Sequence, residues 1–237
     1  MTNSLKDRLF NEVLPALGKD AAYFSFARIK AAVAAKKLGL ADATLKVYLN
    51  EALRKGVVGD AGRGWYSRLS ESLAFDPRPL RKLIRATTKA LPLLDFCAWS
   101  TVQLNPWMHH LLAQPVHFLY VPRETLDDVG DTLRAQGWEV AVNPGISEAS
   151  KAVVPGEKMV VLRPAHSKQP RPQDHQAAPE QVLVDLLVET EALGLMDTSE
   201  AKAVFVGATN SGLVNISEMK RFAEFRKLKW EKIWIIN

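Results

Sequence analysis

Apolar positions recur at helical spacing through the first third of the chain. Leu5, Leu9, Phe10, Val13, Leu14 and Leu17 fall on one face and predict a helix over 5–17, with Gly18 ending it. Phe26, Ile29, Val33 and Leu38 predict a second helix over 25–38, with Arg28, Lys30, Lys36 and Lys37 outside. A turn at Gly39-Leu40 follows, and Asp42 is placed to cap a third helix. That helix buries Leu45, Leu49, Ala52 and Leu53 and turns Thr44, Lys46, Val47, Asn50, Glu51 and Arg54 outward. Val57-Val58 and Trp65-Tyr66 read as short strands flanking GDAGRG, a glycine-rich hairpin turn. Two helices joined by a turn and followed by a hairpin give the order of a winged helix-turn-helix.

The pattern then changes. Residues 70–80, with Pro77 and Pro79, read as a boundary, and 80–91 as a basic amphipathic helix carrying Arg81, Lys82, Arg85 and Lys89. Strands are predicted at 93–99, 116–121, 138–142 and 158–163, alternating with helices at 101–113 and 124–136. Such alternation argues for a mostly buried sheet in an α/β layer. Residues 166–178 are polar and rich in Pro and Gln, a loop, and helices at 179–193, 199–208 and 216–232 close the chain. The expected fold is therefore α+β. A winged helix-turn-helix occupies 1–70, a linker with the basic helix 71–92, and an α/β domain with C-terminal helices 93–237.

Charge sharpens this division. Residues 1–72 hold 12 Lys and Arg against 7 acids, a net +5, whereas the remainder balances at 19 against 19. A basic module joined to a neutral one is the pattern of a protein that meets phosphate at one end. No apolar run approaches ~18 residues, which excludes a transmembrane helix. MTNSLKDRLF lacks the apolar stretch of a signal peptide, so a cytoplasmic protein is expected. The single cysteine, Cys97, can form neither an internal disulfide nor a thiolate zinc site by itself, and its apolar neighbours predict a buried thiol.

A recognition helix fits the major groove, where base edges display a distinct donor and acceptor code. Asn50 is suited to an adenine edge, Lys46 and Arg54 to guanine or phosphate, and Thr44 to a phosphate or a thymine methyl. Arg63, between two glycines at the hairpin tip, is placed for the minor groove. Lys36 and Lys37 would hold the flanking backbone, and Arg81 and Arg85 further phosphates.

Residues 1–68 resemble the N-terminal winged helix of AbiEi-type antitoxins, through TLKVYLNEALRKGVV and GRGWY. WSTVQLNPWM at 99–108, Gln114-Pro115 with HFLYV, Asn143-Pro144, VVLRP and EQVLVDLLVETE are similar to successive elements of that family's C-terminal domain. Two positions depart from it: Ala113 stands where the family has His, and Pro122 where it has an acid. The resemblance implies a repressor binding double-stranded DNA upstream of its own operon. It also implies a functional partner, a nucleotidyltransferase-like toxin, with no stable complex required. A monomer or weak dimer is expected, paired on DNA where half-sites are symmetric.

Catalysis is not expected. His109 and His110 are adjacent, so on a helix they diverge by about 100° and cannot share one ion. Asp95 and Glu139 form a carboxylate pair only if strands bring them together. Neither a metal set nor a cofactor motif is present in the pattern. Asp185, inside LVDLLV, reads as a buried carboxylate that caps or pairs with an arginine, the alternative being a partner contact or an active acid. The alternative function is a winged-helix regulator whose second domain senses a small molecule or protein partner, without a toxin.

Overall fold

Pro15 shapes the first helix. Proline has no N–H and its ring crowds the carbonyl four residues back. In the computed structural model, which describes residues 4–108 and 114–229, the helix widens into a π turn just before it. α1 (Leu5–Arg8) runs into the π turn Leu9–Val13, where the Leu14 amide reaches Leu9 O, and continues as α2 (Leu14–Asp20). The helix thus passes Gly18, the expected stop, and ends at Asp20.

β1 (Tyr23–Ser25), α3 (Phe26–Ala35), α4 (Asp42–Arg54), β2 (Gly59–Asp60) and β3 (Trp65–Ser67) follow. The Ser25 side chain caps α3 by accepting from the Arg28 amide. Ala41, not Asp42, is the N-cap of α4; Asp42 is its first residue and instead pairs with Lys30 at 2.9 Å. The strands form an antiparallel sheet of order β1-β3-β2, with Tyr23 and Gly59 both opposite Ser67. β1 gave no alternating pattern to find; the first hairpin strand begins two residues later than Val57, and the second begins at Trp65 as expected. Leu9, Val13, Leu17, Phe24, Ile29, Val33, Leu45, Leu49 and Ala52 pack as one core.

The chain divides into two compact units. Among the described residues the first comprises 4–73 together with Ala208–Lys220, and the second Ala74–Gly207 with Arg221–Lys229. The segment from the end of the chain enters the first unit through hydrogen bonds. Val214 N donates to the Tyr23 hydroxyl at 3.0 Å, Leu73 N to Leu213 O at 2.7 Å, and Ser67 Oγ to Gly212 O.

The second unit begins with α5 (Arg81–Ala90), which follows a short 3-10 turn at Arg78–Leu80. Residues 71–92 are not simply a linker. Leu80 and Leu83 are fully buried with Phe96, Leu119, Leu126, Leu133 and Leu162. β4 (Cys97–Ser100), β5 (His117–Val121), α6 (Leu126–Ala135), β6 (Glu139–Val142), α7 (Ile146–Ala152) and β7 (Met159–Pro164) follow. The sheet order is β4-β5-β7-β6: β5 and β6 run parallel to β7, and β4 is antiparallel to β5. Side-chain alternation sends Leu119 and Val121 into the core shared with α5 and α6. The opposite face meets α8 (Pro179–Leu193), through Cys97 with Gln181 and Arg163 with Glu189.

Helix was expected over 101–113; Thr101–Trp107 is instead 3-10, with Pro106 inside it, and 109–113 lie outside the described residues. α9 (Thr198–Asn210) and α10 (Ile216–Phe225) close the described chain. The last helix stops seven residues before the predicted 232, where Lys227 takes a left-handed φ of 57°. No helix among the described residues is long and apolar enough to cross a membrane.

Candidate nucleic-acid interface

The outward side of α4 is the centre of the candidate site. At about 100° per residue, Leu45, Leu49 and Ala52 share the buried side, and Val47 and Arg54 fall nearly opposite. Thr44, Lys46, Asn50 and Arg54 are all exposed. Lys46 is not extended freely, because its ammonium lies 5.7 Å from the centre of the Phe26 ring. Glu51, the one acid on this side, is neutralised by Lys55 at 2.8 Å and Lys6 at 3.2 Å. Those two cations hold its carboxyl below the usual range.

The turn before α4 carries Lys36 and Lys37, both exposed. Lys37 N donates to Ala34 O and Leu38 N to Val33 O, which satisfies the end of α3, while buried Leu38 seals the turn. This arrangement holds Lys37 at φ 52°, a region that favours glycine. The reversal therefore begins at Lys36-Lys37, ahead of the predicted Gly39-Leu40.

Arg63 is exposed at the hairpin turn. Gly62 takes φ 97°, a conformation that favours glycine. Its surroundings give another reason for glycine: an added Cβ would lie 2.4 Å from both Asn215 Oδ1 and Ser217 Cβ. The far segment supports the turn from that side, with Ser217 Oγ donating to Arg63 O at 3.4 Å and Lys220 Nζ 5.7 Å from the Trp65 ring. Gly64, at φ 75°, has nothing within 4 Å. Sequence reasoning missed Asn215, Ser217 and Lys220, since nothing in the local pattern of 208–220 indicates a distant hairpin.

Arg81 and Arg85 belong to the second unit. With Arg78, Lys82 and Lys89 they line a shallow surface groove of about 560 Å³ along α5. Arg78 is held by Asp76 at 2.7 Å.

The second unit also carries a buried ionic network. Asp185, fully buried as the sequence implied, pairs with Arg226. Arg226 reaches Glu189 at 3.3 Å, and Glu189 pairs with Arg163 at 2.6 Å. Burial pushes the Asp185 carboxyl up to about 6 against the pull of Arg226. Beside it lies a cavity of about 190 Å³ lined by Asp95, Cys97, Tyr120, His166 and Gln169. Burial there drives His166 down to about 4, helped by Arg226 and Arg123, and drives the Cys97 thiol up to about 12. The Cys97 sulfur accepts from Gln169 Nε2 at 3.0 Å, while the fully buried Tyr120 hydroxyl lies close to Asp185 and Arg226. Asp95 lies just before β4 and Glu139 opens β6, on opposite edges and towards opposite ends of the four-stranded sheet, so they form no pair. Among the described residues no group of three or more His, Cys, Asp or Glu could hold a metal ion.

Fold and site define a mixed helix-and-sheet protein with an exposed basic helix–turn–helix and hairpin in its first unit. The chain belongs to a family of unknown function, DUF6577, whose model matches residues 44–237. The match begins inside α4 and takes in the hairpin and the 208–220 segment that supports it. No curated protein matches the chain.

Proposed function

We propose that this chain is a sequence-specific DNA-binding transcriptional repressor whose first unit is a winged helix-turn-helix. It acts in the cytoplasm as the antitoxin of a type IV, AbiE-like pair. The observation that carries the DNA reading is the outward side of α4. There Thr44, Asn50 and Arg54 stand exposed, with Lys36 and Lys37 in the turn before it and Arg63 in the hairpin after it. Side chains that pair with base edges project from one helix, and cations that grip phosphate flank it on both sides. The antitoxin role rests on the family resemblance of the two halves of the sequence.

The test is binding of the full chain to its own upstream region, titrated with salt, beside an Asn50→Ala/Arg63→Ala variant. Loss of the specific complex, with weak salt-sensitive binding left behind, is the expected result. Equal binding by the variant overturns the assignment of α4 and the hairpin. Co-expression with the neighbouring gene tests the antitoxin role: growth arrest that this chain relieves supports it.

A second reading is favoured by one observation, the 190 Å³ cavity lined by Asp95, Cys97, Tyr120, His166 and Gln169. A regulator that senses a small polar molecule there would gain thermal stability from its ligand.

A further inference from the structure

α4 places an apolar side chain where its fold has no use for one. Val47 lies almost diametrically opposite Leu45, Leu49 and Ala52, is 62 % exposed, and takes no part in the core of its unit. A β-branched residue is also a weak choice for a solvated helix position, since its side chain loses freedom against the preceding turn. Neither packing nor helix propensity explains it.

Its neighbours point to an occupant. Asn50 is three residues on, Thr44 three residues back and Arg54 seven on, so all share the surface around Val47. Asparagine pairs with the N6 and N7 edge of adenine, and thymine is the base that presents a methyl group in the major groove. An exposed isopropyl group beside an exposed carboxamide is complementary to that methyl and that edge together. The surrounding cations, Lys36, Lys37, Arg54 and Arg63, supply the complementary charge for a phosphate backbone on either side.

We infer that Val47 is a specificity-determining residue that packs on a thymine 5-methyl group, with Asn50 reading an adenine edge one base pair or less away. The preferred site of this protein therefore contains an A·T pair at its centre of contact. The inference rests on the DNA-binding reading of α4 and adds which base the helix selects.

Selection of bound sequences from a random duplex pool by the full chain gives the preferred site. Each thymine in it is then replaced singly by deoxyuridine, which removes only the methyl group. At one position the wild type is expected to bind about four-fold more weakly, the worth of one buried methyl. Val47→Ala is expected to bind thymine and deoxyuridine equally there. Val47 is exposed, so this variant keeps its fold, checked by its thermal transition. A preferred site lacking A·T, or specific binding indifferent to deoxyuridine at every position, overturns the assignment of Val47 while leaving DNA recognition intact. A pool that shows no enrichment overturns the DNA-binding reading itself.

Discussion

Arginine is put to two opposite uses, one shown by a buried pair in the second unit and the other by an exposed pair in the first. In the second unit, Arg163 and Arg226 are 11 % exposed each; Arg163 pairs with Glu189, and Arg226 bridges Glu189 and Asp185. Two guanidinium groups balance two carboxylates in a place where any one left alone would be a bare charge in an apolar medium. In the first, Arg54 and Arg63 stand in solvent on the outward side of a helix and at the turn of a hairpin. Buried charges position elements; exposed ones stay available for a partner. The difference separates residues that hold the fold from residues that carry its function, although the residue type is the same.

The largest expected effect tests that separation directly. Arg226→Ala leaves Asp185 unpaired at full burial and is expected to cost about 3–5 kcal/mol, read from urea unfolding. Asp185→Leu/Arg226→Leu, which removes both charges, is expected to recover most of that loss, with the Glu189–Arg163 pair intact. Arg54→Ala is expected to shift stability by no more than about 0.5 kcal/mol and to lower the salt slope of DNA binding by about one. If Arg54→Ala unfolds the protein as readily as Arg226→Ala, the contrast fails.

A smaller effect separates the two titrating groups around the buried network. His166 stays neutral down to about pH 4, so between there and its ordinary 6.5 the unfolded chain binds the additional proton. Its contribution to stability therefore rises with pH through that window. Asp185, pushed up to about 6 from its ordinary 3.8, keeps a proton that the unfolded chain has released. Its contribution falls as pH rises from about 4 to about 6. The two oppose each other in wild type. His166→Gln removes the rising part, so its stability relative to wild type is expected to decline between pH 4 and 6.5. About 1–2 kcal/mol is expected, because His166 is only half buried and solvent screens it. A pH-independent difference would mean that His166 titrates normally.

The sequence carried some of this and concealed the rest for physical reasons. Helices with a clean apolar stripe, such as those bearing Leu45 and Leu49 or Leu126 and Leu133, were readable because one face is buried and the other is wet. α8 was readable too, although it is buried almost all round, because Ala178-Pro179 and Gly194 mark its ends. The pairing of Asp185 with an arginine followed from burying a carboxylate, but nothing in the local pattern named Arg226, 41 residues away. β1 is three residues long, too short for alternation to register. The return of 208–220 to the first unit was hidden for the same reason as the partner of Asp185. Amphipathic spacing reports that a face is covered, not by what. In the candidate interface, Thr44, Asn50 and Arg54 were legible because helical period fixes the outward side. The contact of Lys46 with Phe26, and the packing of Gly62 against Asn215 and Ser217, depend on tertiary neighbours that no period encodes.

The smallest effect bears on whether exposed charge in the first unit is there for function. α3 and α4 end in the same hydrogen-bonded way, and the residue in the left-handed position is Gly56 after α4 but Lys37 after α3. A side chain there costs on the order of 1 kcal/mol that glycine avoids. Leu38 is buried and sets the turn, so the conformation persists whichever residue occupies position 37. Lys37→Gly is therefore expected to raise stability by up to about 1 kcal/mol, offset in part by the freedom glycine gains in the unfolded chain. If Lys37 holds phosphate, the same variant lowers the salt slope of DNA binding by about one. A more stable protein that binds DNA less well would identify Lys37 as a residue kept for its charge at the expense of the turn. A more stable protein with unchanged binding would remove Lys37 from the interface and leave Lys36, Arg54 and Arg63 to carry the backbone contacts.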